Sequence, residues 1–117
     1  MARLTTHVLD TSRGVPARGV VIDLYAFERD SKQRIRTAAT NADGRIDEPL
    51  IAGERIPTGI YELTFHAGDY FRNSGLSLSE PAFLDLIVIR FGISDPAGNY
   101  HIPLLLSPFG YSTYRGS

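Results

Sequence analysis

The segment Ile60-Tyr61-Glu62-Leu63-Thr64-Phe65-His66-Ala67 alternates with a period of two. Tyr61, Leu63, Phe65 and Ala67 share one face, and Ile60, Glu62, Thr64 and His66 share the other. Successive side chains of an extended chain point to opposite sides, so this pattern predicts a half-buried strand with a solvated outer face. Leu84 to Ile93 alternates less cleanly, with Ile87, Ile89, Phe91 and Ile93 against Leu84, Leu86, Val88 and Arg90. Both of its faces are expected to be largely covered. Val20 to Phe27 and Tyr100 to Leu106 are β-branched or aromatic runs bounded by turn residues, and Leu4 to Asp10 and Gln33 to Asn41 are weaker strands of the same kind.

Turn signals separate these runs: Ser12-Arg13-Gly14, Asn41-Ala42-Asp43-Gly44, Pro57-Thr58-Gly59 and Asp95-Pro96-Ala97-Gly98-Asn99. The last lies between two apolar strands and predicts a hairpin. Asp69 to Ser74 breaks the pattern, with Asp69 as a candidate N-cap and Gly75 as a stop for one short helix. Pro103 falls inside a strand pattern, where a bulge or an edge is expected. About seven or eight short strands at this spacing predict an all-β fold, a two-sheet β-sandwich with one short helix. No repeat, linker or composition shift divides residues 1–117, so a single domain is expected.

Composition narrows the class of function. The 117 residues are 43 % hydrophobic and 21 % charged, the balance of a globular chain. Twelve Lys and Arg face thirteen Asp and Glu, with no basic cluster, which argues against nucleic-acid binding. Cysteine is absent, so disulfides, thiolate metal sites and cysteine nucleophiles are excluded. The first residues carry no apolar stretch of signal-peptide type, and the longest apolar runs are far short of a membrane span. A soluble cytoplasmic protein without membrane contact is expected.

Three histidines are the main chemical candidates: His7, His66 and His101. None lies at metal-ligand spacing from another, so no metal site is expected. His66 shares its face with Glu62 and Thr64 and is expected to be solvated. His7 shares a face with Thr5 and Leu9, and His101 opens the last long strand. Arg45 follows the Asp43-Gly44 turn. No nucleophile elbow, phosphate loop or dinucleotide fingerprint is present. The tail Tyr111-Ser112-Thr113-Tyr114-Arg115-Gly116-Ser117 follows an apolar strand directly and reads as one more strand.

These residues together resemble the transthyretin-like 5-hydroxyisourate hydrolases. The resemblance covers essentially the whole chain. It runs from Thr6-His7-Val8-Leu9-Asp10-Thr11, Gly14 and Pro16-Ala17, through Thr40-Asn41-Ala42-Asp43-Gly44-Arg45, Gly59-Ile60-Tyr61-Glu62-Leu63 and Asp69-Tyr70-Phe71. It ends in Tyr100-His101-Ile102-Pro103-Leu104-Leu105-Leu106-Ser107-Pro108 and Tyr114-Arg115-Gly116-Ser117, a tetrapeptide that distinguishes the hydrolases from hormone-carrying transthyretins.

The resemblance implies a hydrolase of urate breakdown, without metal or other cofactor, that opens the N1–C6 amide of 5-hydroxyisourate. The product would be 2-oxo-4-hydroxy-4-carboxy-5-ureidoimidazoline. It carries the family's active-site histidines onto His7 and His101, the arginine onto Arg45 and the terminal serine onto Ser117. His7, Arg45, Tyr114 and Arg115 are the implied substrate-binding residues. Family members often carry another histidine two positions before the second catalytic one; here that position is Asn99, which changes the hydrogen bonding open to the neighbouring loop. A homotetramer, a dimer of sandwich dimers with sites at the dimer–dimer contact, is also implied. Either His7 or His101 could be the base for water. The rival expectation is a non-catalytic small-molecule carrier on the same fold.

Overall fold

The structure is a computed structural model describing residues 1–117. The alternating segment forms β6 (Gly59–His66), and the helix α1 (Ala67–Asn73) follows it without a loop. The helix thus starts three residues earlier than an Asp69 N-cap would set it, and Asp69 sits in its first turn. His66 occupies the N-cap position without a side-chain cap. Gly75, at φ 90°, supplies the left-handed stop.

Strand β6 lies between β3 (Val21–Glu28) and β7 (Leu86–Ile93), and β4 (Ser31–Ala39) completes a four-stranded sheet in the order β4-β3-β6-β7. The second sheet holds β2 (Val15–Pro16), β1 (Ala2–Asp10), β8 (Asn99–Ser107) and β9 (Gly110–Thr113) in that order, and β5 (Ile51–Gly53) also pairs with β1. The nine strands exceed the seven or eight expected because β2 and β5 are only two and three residues long. Leu4 and Val8 of β1, Ile22 and Leu24 of β3, Leu63 and Phe65 of β6, and Leu104 and Leu106 of β8 are completely buried between the sheets. Burial of this apolar area is the main stabilisation of the sandwich.

Three expectations are corrected. The outer face of β6 is not solvated: Glu62 is only 3 % exposed and Thr64 6 %. Lys32 Nζ lies 2.9 Å from Glu62 Oε2, while Arg90 Nε and Nη2 each donate to Oε1 at 3.2 Å. Their aliphatic stems roof the strand and keep the charged ends in water. Second, β7 is an edge strand with one open face, because Leu86 and Val88 are about half exposed within this chain. Third, Asp95–Asn99 closes no hairpin. It carries the chain from β7 in one sheet to β8 in the other. A turn signal reports that the chain reverses; pairing is decided by which sheet offers a free edge.

Strand β8 runs parallel to β1 in unbroken register from Arg3↔Asn99 to Asp10↔Leu106, which sets Thr5 opposite His101 and His7 opposite Pro103. Pro103 is therefore in a central strand and regular on this side. On the other side the β8–β9 ladder stops at Leu104↔Thr113 and resumes as a single bridge, His101↔Gly116, in the same register. The interval falls where Pro103 has no N–H to give, and its carbonyl instead accepts Thr113 Oγ1 at 2.8 Å.

Candidate active site

Side chains two residues apart on a strand share a face, so β1 presents Thr5 and His7 together on the outer side of its sheet. The Asn41–Arg45 turn docks against them. Asn41 Oδ1 accepts the backbone N–H groups of Asp43 (2.9 Å) and Arg45 (3.1 Å), an Asx-type turn. Val8 N–H donates to the Gly44 carbonyl at 2.8 Å, and His7 and Arg45 form an antiparallel bridge. Gly44 has φ 74°, and a Cβ there would lie 2.3 Å from the Val8 carbonyl oxygen, so only glycine lets the turn sit this close. Arg45 is thereby carried to the edge of β1.

His7 Nε2 lies 2.9 Å from the Asp43 carbonyl oxygen. A carbonyl only accepts, so Nε2 carries the hydrogen. His101 is half-buried, with Nδ1 2.8 Å from Thr5 Oγ1. Burial, then the Arg45 guanidinium and His7, hold its imidazole below the ordinary histidine range, against an opposing hydrogen bond with the Thr5 backbone. The tail is drawn in by Gly116 N–H, which donates to the His101 carbonyl at 2.7 Å. A Cβ on Gly116 would come within 2.7 Å of His101 Cδ2.

These elements enclose an open hollow of about 410 Å³ lined by Thr5, Arg45, Asn99, His101 and Ser117 among others. Of the residues singled out from sequence, Arg45, His101 and Ser117 meet there. His7 stands beside the hollow as the bridge partner of Arg45 and is not among its lining residues. Tyr114 and Arg115 line a different hollow, with Ile89 and Phe91 of the other sheet. Arg115 stacks over the Tyr100 ring at 4.1 Å and donates to the Asn99 carbonyl at 3.2 Å, contacts that fasten the tail. Thr5 and Arg3 also line the site and were not singled out; the i, i+2 and i, i+4 spacing from His7 was the available signal. His66 is remote in the other sheet and hydrogen-bonds Asp23 Oδ2 at 2.8 Å. No three His, Asp or Glu side chains converge in a way that could hold a metal ion.

The hollow joins a half-buried imidazole, the guanidinium groups of Arg3 and Arg45, the Glu48 carboxylate and hydroxyls that include those of Thr5 and Ser117. That set can take a proton from water, bind a planar polar heterocycle and stabilise an oxyanion.

Comparison with known proteins agrees in family and fold. The family model described as HIUase/Transthyretin matches residues 4–116. The "5-hydroxyisourate hydrolase 2" of Rhizobium meliloti is 63 % identical over 115 residues, covering 98 % of this chain and 96 % of the relative. The crystal structure of an (S)-allantoin synthase superposes with a TM-score of 0.92 at 43 % identity, covering 99 % of this chain, which spans only 44 % of that one. Sea bream transthyretin in complex with thyroxine superposes at 0.85 with 31 % identity, covering 97 % of this chain and 94 % of its own.

Proposed function

The chain belongs to the HIUase/Transthyretin family, and from that premise we propose that it is an enzyme hydrolysing 5-hydroxyisourate at the N1–C6 amide. The observation that carries the reading is the meeting of His101, Arg45 and Ser117 at one hollow in a chain 63 % identical, over nearly its full length, to a relative bearing that name.

In the proposed reaction His101 accepts a proton from water through Nε2 as the water oxygen bonds to C6. Its lowered pKa keeps the imidazole in the neutral form a base needs. Arg45 stabilises the negative charge that develops on the C6 oxygen. The C6–N1 bond then breaks, N1 takes the proton held by His101, and C6, still joined to the five-membered ring, becomes a carboxylic acid that gives its proton to solvent. His7, its Nε2–H committed to Asp43, supports Arg45 through their backbone bridge, while Ser117 orients water or substrate. Arg115, implied as a binding residue, serves by holding the tail in place, while Tyr114, implied with it, is exposed and lines the other hollow.

The test is spectroscopic. Urate oxidase generates 5-hydroxyisourate from urate, and catalytic amounts of this protein are expected to speed the decay of its ultraviolet absorbance. Unchanged decay at micromolar protein would overturn the reading. That outcome would leave the second reading, a carrier, which the likeness to thyroxine-bound sea bream transthyretin favours. Against it stands the polar lining of Thr5, Arg45, His101 and Ser117, which an apolar hormone does not require.

The protein is further proposed to assemble as a homotetramer, a dimer of dimers with sites at the dimer–dimer contact. The unpaired edge of β7, with Leu86 and Val88 exposed, supports association. No helix is long and apolar enough to cross a membrane; a cytoplasmic location is proposed.

A further inference from the structure

We propose that Thr5 is a positioning residue that sets the tautomer of His101, holding the proton on Nδ1 and leaving the Nε2 lone pair free for water. This inference rests on the hydrolase reading only for its kinetic consequence.

Three observations carry it. Thr5 and His101 are register partners in the long parallel ladder between β1 and β8, so their separation is fixed by backbone pairing on both strands. Thr5 Oγ1 lies 2.8 Å from Nδ1 and is the side-chain partner of that ring. Thr5 also lines the hollow. A hydroxyl has one proton and two lone pairs. When Oγ1 accepts Nδ1–H, its own proton is free to turn into the hollow towards water or substrate.

The contrast with His7 makes the assignment specific. A backbone carbonyl holds the proton on Nε2 of His7. At His101 the partner is bonded to the other nitrogen, so the two rings present opposite nitrogens as acceptors. A neutral ring carries one proton, and in a half-buried position that proton stays where it has an acceptor. Without the Thr5 hydroxyl, Nδ1–H would lose its 2.8 Å side-chain partner and keep only its interaction with the Thr5 backbone. The proton would move to Nε2, which water can reach, and the base would be lost while the ring stayed in place.

The experiment has a resting-state arm and a kinetic arm. Nitrogen-15 spectra of the neutral His101 ring, taken on the full chain, are expected to show Nδ1 protonated in the wild type and a shift of the proton towards Nε2 in Thr5→Val. The same substitution is expected to lower kcat roughly ten- to a hundredfold, within the range of losing acid–base assistance, with KM changed less than about threefold. Thr5→Ser, which keeps the hydroxyl, is expected to restore both signatures. Should Thr5→Val fold poorly by circular dichroism, Thr5→Ala removes the hydroxyl with less bulk and gives the same comparison. A wild-type His101 protonated on Nε2, or a Thr5→Val protein with the wild-type tautomer, would overturn the proposal. Loss of kcat in Thr5→Ser equal to that in Thr5→Val would do so too. A wild type that fails to consume 5-hydroxyisourate overturns the hydrolase reading instead, and the spectra still decide the role of Thr5.

Discussion

At His101 burial, the Arg45 guanidinium and the neighbouring His7 all favour the neutral ring, so the direction of the pH dependence follows. Burial, Arg45 and His7 place the pKa below the ordinary 6.5. A base works only when deprotonated, so activity is present above the folded pKa and lost as pH falls through it. The acid limb of kcat/KM is therefore expected to have its midpoint below pH 6.5, and Arg45→Ala, by removing a cation, is expected to move it upward. A midpoint above that value would exclude His101 as the base. Substitutions His101→Asn, Arg45→Ala and His7→Asn are each expected to lower turnover by roughly 10²-fold or more. His66→Asn should leave turnover near wild type, because His66 lies in the other sheet on Asp23. Turnover losses as large as those of the other variants would mean the site has been placed wrongly. Dialysis against a strong chelator is expected to leave the rate unchanged, and a loss restored by zinc would refute that. At this scale the sequence was informative about identity and poor about environment. The resemblance pointed to His7, Arg45, His101 and Ser117, of which Arg45, His101 and Ser117 line one hollow. Nothing in spacing showed that His7 would sit outside the lining, because that depends on how the Asn41–Arg45 turn docks on β1.

Among the elements, the tail is the most exposed to test. It is held by one bridge to His101, by the Arg115 stack on Tyr100 and by the Asn99 carbonyl. Deletion of Tyr114 to Ser117 removes no core residue and is expected to abolish turnover while far-ultraviolet dichroism stays that of the sandwich. Full activity of the truncated protein would refute a role for the tail. Gly116→Ala is a finer probe: its Cβ would press on His101 Cδ2, so turnover should fall with the tail still present. Strands β3 and β6 give a second prediction. For Asp23 and Glu62 burial pushes the pKa up, but Thr37 and His66 at the first and Lys32 and Arg90 at the second outweigh it, and both end lowered. A depressed carboxylate stabilises the fold above its unfolded pKa, and that stability is lost as pH falls through the folded value. The urea midpoint is therefore expected to fall below about pH 4 as these carboxylates protonate. Their burial also shows why the outer face of β6 was misread. A Glu-Thr-His face looks solvated until Lys32 of β4, two strands away, and Arg90 of the adjacent β7 pair with Glu62 over it.

For the whole molecule, the open side of β7 and the site hollow at the outer face of the β1–β8 sheet both lie where another copy could close them. Sedimentation is expected to give a mass about four times the 12.9 kDa of one chain. Turnover per chain is expected to fall on dilution through the dissociation range. A monomer with full turnover would overturn the tetramer.

The sequence by itself determined the long strands, because period-two burial is a local property of the chain, and missed the short β2 and β5. It determined the single helix to within three residues, and the family through residues scattered from Thr6 to Ser117. Only the tertiary structure decided pairing: that Asp95–Asn99 crosses between sheets, that β1 and β8 run parallel, and hence that Thr5 faces His101. The physical reason is that strand partners are chosen by backbone groups identical in every residue. A register is selected by the packing of both sheets at once, and no local stretch of sequence carries that information.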